Sequence, residues 1–415
     1  MLEAVEAEAA DLVAAVGSLV QVPSVSGSAA EHEIQAELAA ALATDGLEVD
    51  HWELPLATLM ADADFPGVEV ARTEAWGLVG RLPGSGDGPT LMLQGHIDVV
   101  PTGDRAAWSG DPFSGTVGST RVVGRGSCDM KAGVVAARFA VRALRSAGVP
   151  LRGDVLMATV AGEEDGGLGT FGLLHRGWRA DACVVPEPTG LDVVPACAGA
   201  LTFRLRIRGL STHASRRTDG ISAIEKLVPV VAALQALERE RNAAPDPLMA
   251  RWPLPYPISL GVVRAGDWAS SVPDLLEADG RLGVALDEPV DAARGALEAA
   301  MAEVSGADPW LRRHPVEVEW WGGQYAPGRL PADSTLAVEV QDAHQALTGH
   351  RPGAWGAPYG SDLRLLSGLG QIPTVLYGPG DAALAHAPDE SVPIDEVRAA
   401  ARALAVLALD VCGTA

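Results

Sequence analysis

The stretch Val155-Leu156-Met157-Ala158-Thr159-Val160 runs directly into Ala161-Gly162-Glu163-Glu164-Asp165. An uncharged run of this length, bounded by a glycine and rich in β-branched residues, reads as a strand buried on both faces, because a half-exposed strand alternates polar with apolar. The acidic turn after it admits two readings. In a solvated loop adjacent carboxylates cost little. At the end of a buried strand they repel unless a cation neutralises them. Leu91-Met92-Leu93, Cys183-Val184-Val185 and Thr374-Val375-Leu376-Tyr377 are apolar runs of the same kind, and Met130 to Leu144 has helical spacing. Buried strands alternating with helices predict an α/β domain with a sheet covered by helices, and ligands belong beyond the carboxyl ends of its strands.

Four other stretches place a metal-type side chain near such a run. They are His96 in Gly95-His96-Ile97-Asp98, Asp129 in Gly126-Ser127-Cys128-Asp129-Met130-Lys131, Glu187 in Pro186-Glu187-Pro188-Thr189 and His386 in Ala385-His386-Ala387-Pro388. Singly each has an ordinary explanation: a surface His-Asp pair, a helix N-cap at Asp129, a stiff acidic turn, a solvated loop histidine. Together with Glu164 they point to a two-metal hydrolase, in which one carboxylate bridges two divalent ions about 3.5–4 Å apart that share an activated water. His96 and Asp98 leave the same face of a strand, so Asp98 reads as the group that orients the imidazole. Glu163, left over beside Glu164, supplies the proton acceptor. Cys128 is the alternative nucleophile, but no His-Asn context surrounds it and a small buried residue is the better reading.

Composition narrows the class. The 415 residues carry 54 acidic and 31 basic side chains, a formal charge of −23, which argues against nucleic acid as a partner. The length suits two domains. The 4 cysteines, with no C-x-x-C pair, do not form a disulfide framework. The N-terminus Met-Leu-Glu-Ala-Val-Glu carries acid where a signal peptide carries base, and no apolar stretch approaches a membrane span. A cytoplasmic protein is expected.

Leu12, Val16, Leu19 and Val20 predict a first helix, and Ser28-Ala29-Ala30-Glu31 has the pattern of a capping box opening a second through Ile34, Leu38 and Leu42. From about Ala198 the pattern changes. Thr202 to Arg208 alternates polar with apolar residues, as in a half-exposed strand. A helix at 220–241, strands at 258–263 and 276–286, a helix at 289–304 and a strand at 316–321 follow, which is the β-α-β-β-α-β order of a ferredoxin-like unit. The candidate ligands flank this block. The expected organisation is therefore a catalytic domain of residues 1–197 and 322–415 with an inserted module at 198–321.

The motifs Gly-His-Ile-Asp-Val-Val-Pro (95–101), Trp108 with Asp111-Pro112-Phe113, Gly-Arg-Gly-Ser-Cys-Asp-Met-Lys (124–131), Gly-Glu-Glu (162–164), Glu-Pro-Thr (187–189) and Thr-His-Ala-Ser (212–215) resemble, in order, those of the di-zinc amidohydrolase family of acetylornithine deacetylase, succinyl-diaminopimelate desuccinylase, aminoacylase and glutamate carboxypeptidase. The resemblance implies that Asp129 bridges two metals, that His96 and Glu187 complete one site and Glu164 and His386 the other, that Asp98 orients His96, and that Glu163 is the general base. It further implies a cis Asp129-Met130 bond, an inserted lid through which the protein forms a homodimer, and His213 as an oxyanion donor within its own subunit or across the dimer. Arg364, in Ser361-Asp362-Leu363-Arg364, and Arg281, beyond Val272-Pro273-Asp274, match positions that meet a substrate carboxylate. Ser271 replaces the usual Asn and Ala132 the usual Gly, and the first of these bears on substrate contacts.

The expected function is hydrolysis of the amide bond of an N-acyl amino acid or peptide-like substrate. A dipeptidase or carboxypeptidase using the same site is the alternative. A non-catalytic binding protein has no need of Glu163. Zinc is the expected metal, with cobalt and manganese suited to the same ligands.

Overall fold

The computed structural model describes residues 1–414, and the chain divides into two compact units. The first comprises residues 1–196, 329–355 and those from 361 onward. Its mixed sheet runs in the order Glu48–Glu53, Trp76–Leu82, Val155–Val160, Leu91–His96, Ala182–Val185, Thr374–Leu376, Val193–Cys197. Leu91–His96 lies parallel to both Val155–Val160 and Ala182–Val185, and Thr374–Leu376 is parallel to Ala182–Val185. The two strands on the outer side are antiparallel.

Burial explains why the central runs are apolar without alternation. Leu91, Leu93, Val155 and Met157 join one core with Val135, Phe139 and Leu144 of the helix Ala132–Ser146 and Val397, Leu404 and Leu407 of the helix Ile394–Cys412. Met92, Leu156 and Ala158 alternate with them and are equally buried, so neither face of the sheet meets water.

Some local expectations fail for identifiable reasons. The capping box before the helix Ala30–Thr44 does not form: Ala29 holds the cap position without a side-chain bond, and Glu31 is instead engaged by Arg72 at 2.9 and 3.0 Å. Asp129 does not cap a helix. It lies at φ −116°, ψ 98° in an irregular turn, its bond to Met130 is cis, and the helix begins beyond Lys131. The strand Trp76–Leu82 is hidden in the sequence by two glycines. Gly77 is required because a Cβ there would sit 2.4 Å from the Trp52 ring on the neighbouring strand.

The second unit, Cys197–Gly328 with Gly356–Gly360, holds an antiparallel sheet in the order Ile258–Ala265, Leu275–Val284, Gly199–Arg208, Glu317–Tyr325. The helices Ala223–Arg241 and Val290–Ala307 complete a β-α-β-β-α-β order. Leu201, Phe203, Leu205 and Ile207 form its core, while Arg204, Arg206 and Arg208 point outward to Asp279, Glu277 and Glu317.

Candidate metal centre

Three of the candidate ligand stretches are strand ends. His96 is the last residue of its strand, Glu163 and Glu164 follow Val155–Val160, and Glu187 follows Ala182–Val185. Because these strands are parallel, their carboxyl ends share one edge of the sheet, and side chains distant in sequence converge there. His386 arrives on the loop after Thr374–Leu376, and Asp129 on the turn before Ala132–Ser146. The start of that helix presses against the Glu187 turn: a Cβ on Gly133 would lie 1.9 Å from the Pro186 carbonyl oxygen, so glycine is needed there.

Asp129 stands between two imidazoles. Its Oδ1 is 3.0 Å from His96 Nε2 and its Oδ2 is 3.4 Å from His386 Nε2. His96 Nε2 also lies 3.8 Å from Glu187, and His386 Nε2 lies 3.1 Å from Glu164. Donor atoms of His96, Asp129 and Glu164 fall within 4.8 Å of one another. His96 Nδ1 donates to the Asp98 main-chain carbonyl at 2.9 Å, which fixes the tautomer and leaves the Nε2 lone pair facing the cluster. The Asp98 carboxylate, 3.8 Å from the ring, works elsewhere: it accepts from the N–H groups of Glu163 and Glu164 at 3.2 and 3.3 Å and from Ser26 Oγ at 3.0 Å. Asp98 thus orients His96 through its backbone and holds the Glu163-Glu164 turn through its side chain.

The electrostatics of the cluster fit a cation. Burial first, then neighbouring acids, pushes the carboxyls of Glu163 and Glu187 well above the usual range, and Glu164 upward for the same reasons. Hydrogen bonds to Asp129 and Glu164 push His386 up to about 11. His96 also rises: burial opposes its charge, but the bond to Asp129 and the charge of Glu187 outweigh it. Acids holding protons and imidazoles seeking them mark a site short of positive charge, which divalent ions supply. Imidazole nitrogens and carboxylate oxygens suit zinc, cobalt and manganese alike.

The other anticipated residues are placed differently. Arg364 is buried and donates from Nη2 to the Gly166 carbonyl at 2.7 Å, so it braces the loop that carries Glu163 and Glu164. His213 and Arg281 belong to the second unit. His213 is exposed and its Nδ1 accepts from Ser215 N at 3.2 Å, which puts the ring proton on Nε2. The Arg281 guanidinium lies 5.5 Å over the Tyr325 ring.

Three residues of the site carry no signal in the sequence pattern. Arg72 neutralises Asp165 at 2.8 Å, which answers how the adjacent acids of this turn coexist: Glu164 faces the imidazoles and Asp165 turns to a guanidinium. Arg125 and Glu390 form a buried ion pair at 2.6 Å. Arg125 stands inside the glycine-rich motif and Glu390 four positions after His386, but nothing in either stretch announces their pairing.

Such a cluster of imidazoles and carboxylates suits a metal-dependent hydrolase. Residues 92–410 match peptidase family M20/M25/M40, and the chain belongs to that family, whose members cleave C–N amide bonds. The chain is 28% identical over 392 residues to the N-formyl-4-amino-5-aminomethyl-2-methylpyrimidine deformylase of Bacillus subtilis, covering 88% of this chain and 85% of that one. The crystal structure of human carnosine dipeptidase 1 superposes with a TM-score of 0.77 at 16% identity, over 99% of this chain and 98% of that chain. The Bacillus subtilis YXEP protein, described as a dinuclear metal-binding peptidase, gives a TM-score of 0.67 at 18% identity over 99% and 100% of the two chains. Among the described residues no helix is long and apolar enough to cross a membrane.

Proposed function

We propose that this protein is a di-metal N-deacylase that removes a small acyl group from an amine-bearing substrate. The observation that carries the reading is Asp129, whose two carboxylate oxygens face two different imidazoles at 3.0 and 3.4 Å. A single ion needs one oxygen; two oxygens aimed at two separate nitrogen ligands suit a shared carboxylate. His96, Asp129 and Glu187 would hold one ion and Asp129, Glu164 and His386 the other, with zinc the first choice.

Divalent ions bound there would polarise the amide carbonyl and lower the pKa of water. Glu163 takes the proton from the attacking water on its carboxylate and returns it to the leaving nitrogen. Asp98 fixes the Glu163-Glu164 turn. His213, with its proton on Nε2, has the donor that a developing oxyanion requires. Arg281 remains the candidate for a substrate carboxylate, whereas Arg364 acts by bracing the Gly166 loop.

The deacylase reading over the peptidase one rests on the deformylase relative, which the chain matches over most of both lengths, whereas the solved dipeptidase is only 16% identical. We further propose a homodimer formed through the second unit. Ile258–Ala265 is an edge strand of its sheet, and Val262 and Val263 on it are exposed, which is a surface that pairs with another chain unless covered. The 4 cysteines are free and buried, which suits a reducing cytoplasm.

The test is a substrate screen of zinc-loaded protein against N-formyl, N-acetyl and N-succinyl amines and amino acids beside a dipeptide panel. Release of a small carboxylic acid at rates well above any dipeptide cleavage supports the deacylase. Preference for dipeptides reverses the assignment.

A further inference from the structure

We infer that the buried Arg125–Glu390 pair is a positioning device that ties the shared ligand Asp129 to His386 and thereby sets how tightly the ion at the His386 half is held. The inference rests on the two-ion reading above.

The connection can be followed atom by atom. Glu390 Oε1 accepts the main-chain N–H groups of Cys128 and Asp129 at 2.9 and 3.1 Å. Glu390 Oε2 accepts from Arg125 Nη1 at 2.6 Å. Arg125 Nη2 then donates to the main-chain carbonyl of His386 at 3.2 Å, with longer bonds from the guanidinium to the carbonyls of Ala387 and Pro101, each at 3.4 Å. The guanidinium also lies 5.2 Å over the Trp108 ring. One carboxylate and one planar fork therefore grip the backbone of two ligand residues 257 positions apart (386 − 129).

Two features argue that this grip is more than packing. The side chains are 2% and 0% exposed, so a full ion pair has been taken out of water, a costly arrangement when stability is the only gain. His386 also has φ +61°, a left-handed conformation that a residue with a Cβ adopts only when its surroundings impose it. The bonds from Arg125 to the carbonyls of His386 and Ala387 impose it. The loop is also tied by Asp389, itself at φ +56°, which accepts from Ser109 N and Oγ at 2.8 and 2.7 Å, and by the Glu390 carbonyl, which accepts from Gly124 N at 2.8 Å. Without Arg125 the carbonyls of His386 and Ala387 lose their donor while the tethers near residues 389–391 remain, so the imidazole is held less firmly towards Asp129 and Glu164.

The substitutions separate the two ends of the device. Arg125→Lys retains a charge for Glu390, but one ammonium cannot also reach the His386 carbonyl. Glu390→Gln weakens the hold on the Asp129 N–H. The doublet Arg125→Met with Glu390→Gln removes both buried charges, so it folds where a single substitution unfolds. Metal-stripped protein is titrated with Zn²⁺ by calorimetry, with near-ultraviolet circular dichroism as the check on tertiary structure. Wild type takes up two ions. Arg125→Lys takes up the first ion with near wild-type affinity and the second about 10–100-fold more weakly. Glu390→Gln weakens both steps, since Asp129 belongs to both. Selective loss of one of two steps is not what general destabilisation produces. Fewer than two ions in wild type overturns the two-ion reading and the clamp with it. Two ions in wild type and unchanged affinities in Arg125→Lys and the doublet overturn the clamp alone.

Discussion

His96 and His386 present the same imidazole nitrogen to the same carboxylate, yet they are held in opposite ways. His96 closes a strand of the central sheet, is 1% exposed at its side chain, and has its second nitrogen bound to the Asp98 carbonyl. His386 sits ten residues beyond its strand, has a side chain 53% exposed, and occupies a left-handed backbone conformation. The same contrast runs through the carboxylates. Glu187 follows its strand by two residues and lies against the first turn of Ala132–Ser146, whereas Glu164 depends on a turn pinned by Asp98, Arg72 and Arg364. One half of the site is a by-product of the sheet. The other is assembled by side-chain bonds, and an assembled half can open.

The largest expected effect touches neither half. Glu163→Gln keeps every ligand and the side-chain volume but removes the proton acceptor. It should bind two ions per chain while kcat falls by about 10²–10⁴, the usual contribution of general acid–base catalysis. Elemental analysis together with steady-state kinetics checks both parts. A variant that hydrolyses substrate at the wild-type rate shows that the proton goes elsewhere.

His213→Ala comes next. One oxyanion donor is worth about 10²–10³ in rate, so kcat should drop by that factor with metal content unchanged. If His213 serves the partner subunit, mixing His213→Ala with Glu163→Gln and allowing subunit exchange restores activity, because one site of the hybrid has both residues. Exchange without recovery assigns His213 to its own subunit or to no catalytic part.

The contrast between the halves is tested most directly by metal removal. The open half should lose its ion first on dialysis against a chelator. His386→Ala should leave one ion bound with little change, whereas His96→Ala should weaken both steps, because it also frees Asp129 from its buried partner. An affinity gap of about tenfold or more between the two sites is the expected size, comparable to what outer hydrogen bonds contribute. Ions that leave together, in wild type and in both variants, remove the distinction drawn here.

The difference between the halves also explains what could be read in advance. The strands ending at His96, Glu163-Glu164 and Glu187 were legible because burial on both faces leaves a local signature, an apolar run that stops at a charged residue. The alternation at 202–208 was legible for the same local reason, since Phe203, Leu205 and Ile207 are buried and the arginines between them find acids on a neighbouring strand. Arg72, Arg125 and Glu390 left no such trace. Their partners lie 41 to 265 positions away, and a charged residue in a loop looks the same whether it meets water or a buried carboxylate. The capping box at Ser28 shows the converse failure. The local pattern was present, but Arg72 offered Glu31 two charge-assisted bonds, which outweigh one bond to a main-chain N–H. His213, Arg281 and the dimer came from family likeness and not from any physical pattern in the chain.

The smallest expected effect concerns Cys128, the neighbour of Asp129. Its thiol is fully buried, and burial followed by the charges of Glu390 and Asp129 pushes its pKa upward, which disfavours the thiolate a nucleophile needs. Its contribution to the site is its main-chain N–H, bound to Glu390 at 2.9 Å, which any residue but proline supplies. The Sγ donates only to the Asp381 carbonyl at 3.4 Å, and a serine hydroxyl keeps a donor there. Cys128→Ser should therefore keep both ions and hydrolyse within about twofold of wild type, at a stability cost of about 1 kcal/mol for the change in size and polarity of a buried group. Thermal melts and kcat on the best substrate check it. Loss of activity with both ions still bound would return the thiol to the mechanism and remove Glu163 from its place in it.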